Sequence, residues 1–524
     1  MKIKYIDLKK ISFCLCIVVT MISCVTSESH SWSISLDNAG TYSSARVVDL
    51  NNDNVPDIVM GAGGQEEKHS DTAVIALDGA TGKLLWTIPG SNQFVGSAVF
   101  MDINNDKAPD VFIGGRWAQL SAINGVDGKP IWTFFPERTK LDGSDGGWYN
   151  FTTPQFIPDQ DGDNISDLII ANGGDAHAAP FDPNRPAGRL LVLSSKTGKI
   201  LANVKVPDGK ETYMSVVCEK KSDKNIMVLF GTGGETLPGH LYKTTLDNIM
   251  KGDIGEAKIL ASSETKGFVS SPVLVDINND GEKDIVANAV DGRMLAIDGA
   301  TDSLLWQVNL PGTEAYTMPA VGFFNSDSIP DLFANFAIGT FPKLPKSIRF
   351  MVNGKTGKIE YQDTIPAFQY ASAVTADLDG DGHDEVIVNQ SALKRKQFEN
   401  VYYSYLLAFD FWNKKNYSLG DTLLATNIAS TPWIGDLDGD NKYDFIYSAV
   451  NYENAQFDLQ KPLGLLVKRF KTDIKLKKPV RWGAFMGSDY NSIFYFFFQL
   501  RILETTIHDC TLLLTSIDFE KIRS

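Results

Sequence analysis

Cysteine is scarce in this chain of 524 residues, which has five. Cys14, Cys16 and Cys24 fall in the first 24 residues, and Cys218 and Cys510 are too few for a disulfide framework. Positive charge is short as well: 49 Lys and Arg face 64 Asp and Glu, a formal charge of −15. Nucleic acid and anionic membrane surfaces are recognised through basic patches, so neither is expected as a partner. Helical periodicity is missing, and so is any catalytic triad, phosphate loop or zinc cluster. What remains is ordinary globular material, 43% apolar and 11% aromatic, enough for a sizeable core.

The start of the chain reads as an export signal. Lys2, Lys4, Lys9 and Lys10 precede an apolar run from Ile11 to Ile22, short for a membrane span. The run ends in Met-Ile-Ser-Cys, which places either lipidation at Cys24 or ordinary signal-peptidase cleavage nearby. Residues 1–23 are therefore assigned as a signal peptide, whose loss takes the formal charge from −15 to −18. The mature protein is expected outside the cytoplasm, as a cell-surface or outer-membrane lipoprotein or a secreted protein. Its only route to a membrane is the lipid.

An acidic stretch then recurs with its oxygen-bearing residues at fixed spacing. The copies offer Asp49, Asn51, Asp53 and Asp57; Asp102, Asn104, Asp106 and Asp110; and Asp159, Asp161, Asp163 and Asp167. They continue with Asp276, Asn278, Asp280 and Asp284; Asp377, Asp379, Asp381 and Glu385; and Asp436, Asp438, Asp440 and Asp444. Two wider gaps hide worn copies, one from Phe323 to Asp331 and one near Cys218, giving eight units. Each unit runs apolar stretch, acidic turn, β-branched run, tight turn and a strand ending in an aromatic, as in ATGKLLW at 80–86. Short strands between Gly, Asp and Asn turns imply a four-stranded antiparallel sheet per unit. The fold expected is all-β: an eight-bladed β-propeller over residues 24–480.

Closure has its own trace. Trp306 lies 17 residues before Phe323, and Trp32 lies 17 before Asp49. Residues 31–36 are thus the last strand of a blade whose first three strands come from the C-terminal unit, beside a strand near 463–469. Such pairing removes the open edge of a linear stack.

Carboxylates converging in one tight loop repel one another unless a cation sits among them, and hard oxygen ligands suit Ca²⁺. An EF-hand is excluded, because its twelfth-position Glu is replaced by Ala287, Val388 or Tyr447 inside predicted strands. About six structural Ca²⁺ sites are expected on this reasoning.

These residues carry a resemblance. FVGSAVFMDINNDKAPDVFIGG at 94–115 resembles the FG-GAP repeats of integrin α-subunit propellers, whose calcium loops occupy the same turn. ALDGATGKLLW at 76–86 is similar to the tryptophan repeats of pyrroloquinoline-quinone dehydrogenases and of outer-membrane-assembly propeller lipoproteins. The resemblance covers roughly residues 31–470 and implies fold and metal far more than activity. No adjacent Cys-Cys pair is present, so no quinone cofactor is expected.

Strand order puts the acidic turns and the C–D turns on one face. The long insertions at 134–155, 172–189, 231–240, 339–349 and 389–405 land on the other, where binding usually resides. Trp148, Tyr149, His177, Asp182, Arg185 and His240 are the candidate ligand residues there; Trp86, Trp132 and Trp306 read as blade packing. The function expected is a monomeric, non-catalytic binding or scaffold protein for a polysaccharide or a protein. A calcium-dependent polysaccharide lyase or hydrolase, with His177 and Arg185 as base and cation, is the alternative, alongside a quinoprotein-type enzyme. An outer-membrane assembly factor is a third reading. Residues 481–524 lack repeat character and read as an appended, poorly ordered tail.

Overall fold

A short strand with two apolar faces cannot bury both alone, so each repeat folds into a sheet and stacks on the next. The computed structural model describes residues 30–65, 68–134, 150–175, 178–222, 225–396, 399–452 and 461–495. Within them eight antiparallel sheets of four strands, A to D from the centre outward, form the blades of one closed propeller. In the third and sixth blades the innermost strand is split, into Asn150–Phe151 and Gln155–Ile157, and Thr313–Ala315 and Ala320–Gly322. One helix, Leu246–Met250, interrupts the all-β pattern among the described residues. None there is long and apolar enough to cross a membrane.

The ring closes as the spacing of Trp32 implies. Trp32–Asp37 pairs antiparallel with Pro462–Lys475, in register from Trp32 opposite Arg469 to Asp37 opposite Gly464. That strand completes a blade begun by Trp433–Gly435 and Lys442–Tyr452. Both chain ends thus seal one sheet.

Tryptophans link the blades. Trp32, Trp86, Trp132 and Trp306 each donate the indole N–H to a backbone carbonyl in the next blade's C–D turn: Gly79, Gly125, Ser195 and Gly354, at 2.9, 2.7, 2.7 and 2.6 Å. Glycine is needed where the ring lands. At Gly82, φ is +73° and an added Cβ would sit 2.5 Å from the Trp32 ring. Between blades the apolar strands pack into several buried clusters, with residues such as Phe112, Phe230 and Phe333 fully buried.

Two expectations need correction. Residues 339–349 and 389–405 are not loops but the ends of long hairpins, Asp331–Thr340 with Lys343–Val352 and Glu385–Lys396 with Glu399–Asp410. Runs such as VYYSYL at 401–406 are strong strand formers, and nothing in them stops the ladder. The tail also divides. Residues 480–495 thread through the inner strands of the propeller, as described below, whereas 496–524 lie outside the described residues. So do Cys24, Trp148, Tyr149 and His177.

Candidate functional site: acidic turns and channel mouth

The acidic turns share one geometry. The first-position carboxylate accepts the backbone N–H of the sixth residue, as in Asp49 with Asn54 at 3.0 Å, Asp159 with Asn164 at 2.8 Å and Asp377 with Gly382 at 3.1 Å. The ninth-position carboxylate accepts the N–H of the second residue and, in several blades, one from the C–D turn; Asp57 takes Leu50 and Gly79, Asp284 takes Ile277 and Gly299. The two turns touch closely: a Cβ at Gly79 would lie 1.9 Å from the Pro56 carbonyl oxygen. Burial pushes the ninth carboxylates up, Asp57 to about 7, Asp284 to about 6 and Glu385 to about 8. These groups are charged only at a cost unless positive charge is near.

What stands near them differs from turn to turn. In the four turns with Asn at the third position, the worn 323 copy included, the side-chain amide stitches the carboxylates, as Asn104 Nδ2 does to Asp106 at 3.0 Å and Asp110 at 3.1 Å. The 159 and 377 turns have carboxylates instead. Oxygens of Asp159, Asp161 and Asp167 lie within 4.8 Å of one another, as do those of Asp377, Asp379 and Asp381. At 377 the C–D turn adds Asp410, grouped with Asp379 and Glu385, and the buried Asp377 Oδ1 has no hydrogen-bond partner. Lys415, half exposed, reaches Asp410 at 3.1 Å and Asp379 at 3.5 Å. The C–D contribution, from Asp78, Asn124, Asp298, Asn353 or Asp410, was missed in the sequence. Its signal was the polar residue at the end of each C strand.

The 436 turn matches the 377 turn in sequence but not in surroundings. Arg469, fully buried on the closing strand, places its guanidinium between Asp438 at 2.8 Å and Asp444 at 2.9 Å. Lys471 adds contacts to Asp438 at 2.5 Å and Asp440 at 3.1 Å. The carboxylates here already have cations, supplied by the protein.

Near the acidic turns the central channel is filled by 480–495. Thr375 N–H donates to the Trp482 carbonyl, Ile434 to Gly483 and Leu274 to Ser492, at 2.9, 2.7 and 2.9 Å. Gln155 Nε2 donates to the Tyr490 carbonyl at 3.1 Å and Val47 N–H to the Tyr490 hydroxyl at 3.2 Å. Trp482, Met486 and Phe494 are buried. Arg46 lies beneath, its guanidinium 3.8 Å from the Tyr490 ring centre and 5.9 Å from that of Phe485. Burial lowers its pKa to about 10.

Beyond this plug, toward the other face, lies a cavity of about 190 Å³ with Phe485 in its wall. Each blade contributes the residues that enter its A strand, including Tyr42, Tyr213, Tyr316 and Tyr370. A belt of hydroxyls encircles it. Ser44 N–H donates to Ser97 Oγ, Ser97 to Thr153 and Thr153 to Ser215, at 3.1, 3.0 and 3.1 Å. Met318 donates to Ser372, Ser372 to Thr431 and Thr431 to Ser44, at 3.2, 3.2 and 3.0 Å. The signal was legible: Ser44, Ser97, Ser271, Ser372 and Thr431 each stand five residues ahead of an acidic turn. Beside the cavity, Glu211 accepts from Tyr213 and from Arg185, each at 3.1 Å. Burial pushes its carboxyl up to about 7 against the pull of Arg185.

Among the described residues, the sequence-selected Asp182, Arg185 and His240 are each held by local hydrogen bonds. Arg185 is a brace, donating to the carbonyls of Asp175, Ala179 and Asp182 as well as to Glu211. Asp182 caps its own turn through Asn184 N–H at 2.9 Å. His240 bonds Ser262 Oγ at 2.8 Å and meets Tyr242 edge to face at 5.5 Å.

With this geometry in view, comparison with known families is informative. Residues 32–378 match the model of the FAM234A/B β-propeller. The chain belongs to that family. Among curated proteins no sequence matches it. Solved structures resemble it in fold alone. A quinohemoprotein alcohol dehydrogenase of Pseudomonas putida HK5 is 12% identical at a TM-score of 0.55, covering 87% of this chain and 77% of its own. The quinohemoprotein alcohol dehydrogenase of Comamonas testosteroni is 13% identical at 0.52, covering 86% and 77%. The rhamnogalacturonan lyase YesW is 14% identical at 0.51, covering 87% and 78%.

Proposed function

We propose that this FAM234A/B-type propeller is an exported, monomeric, calcium-stabilised protein that holds a polysaccharide or protein partner on the face opposite its acidic turns, without catalysis. One observation supports this most: residues 480–495 fill the channel on the acidic side, while a tyrosine- and hydroxyl-lined cavity lies toward the other. Function is thereby separated from metal. The Lys-rich leader ahead of Cys24 supports export, with or without a lipid anchor.

Calcium would sit in the 159 and 377 turns, held by Asp159, Asp161 and Asp167, and by Asp377, Asp379, Asp381 and Glu385 with Asp410. The fit rests on clustering and on the partnerless Asp377 oxygen. At about 4 Å two carboxylates repel by roughly 4 kcal/mol in a partly screened site, so an empty turn resists folding and a cation relieves it. The Asn-stitched turns at 49, 102 and 276 would bind more weakly. At 436 the oxygens of Asp436, Asp438 and Asp444 cluster as closely, but Arg469 and Lys471 already pair with Asp438 and Asp444 and compete with an ion.

A second reading, a polysaccharide lyase or hydrolase, draws support from Glu211 and Tyr213, an acid–base pair beside the cavity with the carboxyl near 7. A glycan array probed with calcium-loaded protein, followed by assay of each hit for new chain ends, separates the two. Stable capture with no product is expected. Product release abolished by Glu211→Gln would establish the enzyme, and no capture of glycan or protein by that face would sink the binding role.

A further inference from the structure

We propose that the channel mouth is a binding site for one neutral sugar ring, the terminal or branch residue of a glycan. This rests on the reading of the loop face as the binding face and goes further by naming the site and the ligand class.

Size is the first reason. At about 190 Å³ the cavity is below the roughly 300–1,000 Å³ of pockets for drug-sized ligands. It has room for about six waters, the bulk of a single pyranose.

Hydrogen-bond chemistry is the second. Ser44, Ser97, Thr153, Ser215, Ser372 and Thr431 each spend one lone pair on a neighbouring blade's N–H. Among the described residues none of these six hydroxyls donates its own hydrogen. Six O–H donors therefore line one small space, each retaining a lone pair. Ser270, 8% exposed in the same wall, has an Oγ with no partner at all. Buried hydroxyls left unmatched are costly, and a ligand rich in groups that both donate and accept satisfies them. A polyol is such a ligand. An apolar one would strand every hydroxyl.

The walls and their charge narrow the choice. Tyr316 and Tyr370 stand with ring centres 4.4 Å apart, and Tyr213 and Tyr316 are fixed by hydrogen bonds to Glu211 and Glu314 at 3.1 and 2.5 Å. Held aromatic rings present flat faces at little entropic cost, and the C–H face of a sugar ring packs on them. Glu211, Glu235 and Glu314 gather behind these rings, and burial raises the first two toward the neutral form. Arg185 and Lys266 are engaged with Glu211 and Glu314. A uronic acid would bring its carboxylate toward these carboxylates, with Arg185 and Lys266 engaged and Arg46 turned to the Tyr490 and Phe485 rings. A neutral ring meets no such penalty.

The test uses the full chain, calcium-loaded, titrated with methyl glycosides of glucose, galactose, mannose and rhamnose, and with methyl glucuronide. Calorimetry and saturation-transfer NMR supply the readout. At least one neutral glycoside should bind, and the glucuronide at least tenfold more weakly. Val269→Trp fills the mouth and Thr431→Val removes one hydroxyl. Each should weaken the neutral sugar at least tenfold, the first with the melting temperature unchanged. Because Thr431→Val also removes an acceptor for Ser372 N–H, Val269→Trp is the variant that decides. Binding of no neutral glycoside, equal binding of glucuronide, or indifference to Val269→Trp would each overturn the proposal. If the loop face still captures a glycan polymer or a protein in that case, the binding role stands and only the sugar pocket falls; if it captures neither, both fall.

Discussion

The turns at 377–385 and 436–444 are nearly the same sequence, DLDGDGHDE and DLDGDNKYD, yet they meet different electrostatics. The first faces a further carboxylate, Asp410, and only surface lysines: Lys415 at 3.1 Å from Asp410, Lys478 at 4.0 Å from Asp377 and Lys477 on the Asp379 carbonyl at 3.0 Å. The second faces a buried guanidinium, Arg469, with Lys471 beside it. The difference comes from the C and D side of each sheet. In the seventh blade the residue that ends strand C is Asp410. In the eighth, whose outer strand is borrowed from the N-terminus, strand C is long, and Arg469 lies opposite Trp32 in the ladder. Arg469 also donates to the Gly79 carbonyl at 3.1 Å, as Trp32 does at 2.9 Å. One guanidinium thus neutralises an acidic turn and ties the closing blade to the first. A blade that must form from the two chain ends cannot depend on an ion arriving first, and an internal cation makes its closure independent of supply.

The largest expected effect comes from removing that cation. Arg469→Met leaves the buried Asp444 without a cation and Asp438 with Lys471 alone, and breaking a buried pair typically costs about 3–5 kcal/mol. The variant should unfold at much lower denaturant than the native chain in chelator. It should also recover part of the loss when calcium is added, since the emptied turn then resembles 377. Recovery is what the comparison demands; a loss of stability indifferent to calcium would mean that Arg469 acts only through its packing against Gly79 and Trp32.

Next in size is the 377 turn itself. Asp379→Asn with Asp381→Asn should remove one bound calcium by calorimetry. A ligand at a hundredfold excess over its Kd stabilises the folded state by about 2.7 kcal/mol, so a loss of that order is expected in calcium and little in chelator. The matching pair Asp438→Asn and Asp440→Asn should leave the calcium stoichiometry unchanged. Equal loss of calcium from both turns would erase the distinction.

Much of this molecule was legible in the sequence, and what was not has a common cause. The repeat spacing fixed the number of blades, and the position of Trp32 located the closing strand to within a residue or two. Both rest on local patterns repeated many times. The acidic turns were equally visible, but whether a given turn needs an ion depends on Asp410 or Arg469, which lie 25 or more residues away along the chain and reach the turn only through the sheet. The plug was invisible for the same reason: Trp482, Gly483, Tyr490 and Ser492 bond to five blades and repeat nothing. The hydroxyl belt repeated at constant spacing but uses Ser and Thr, which are common enough near turns to draw no notice. Of the ligand residues chosen for their chemistry, Asp182, Arg185 and His240 are the described ones, and each is engaged locally. Arg185 is held in its own loop, because an exposed-looking Arg in a Gly- and Pro-rich stretch is often what holds that stretch together.

The smallest effect gives the finest comparison, that between Lys415 and Lys471. Lys415 is half exposed and contacts Asp410 at 3.1 Å and Asp379 at 3.5 Å, so it is the surface counterpart of the cations at 436. Asp410 is buried but the lysine is half in water, so the pair contributes about 1 kcal/mol and Lys415→Met should move the unfolding midpoint in chelator only slightly. It does remove a positive charge that competes with an incoming ion. Calcium affinity at the 377 turn should therefore rise severalfold in a calorimetric titration, with the stoichiometry unchanged. Lys471→Met, at a more buried lysine in the other turn, should create no calcium site, because Arg469 still stands between Asp438 and Asp444. A fall in affinity on losing Lys415 would show that the lysine orders Asp410 and Asp379 for the ion. The two turns would then differ in arrangement and not in which already holds its cation.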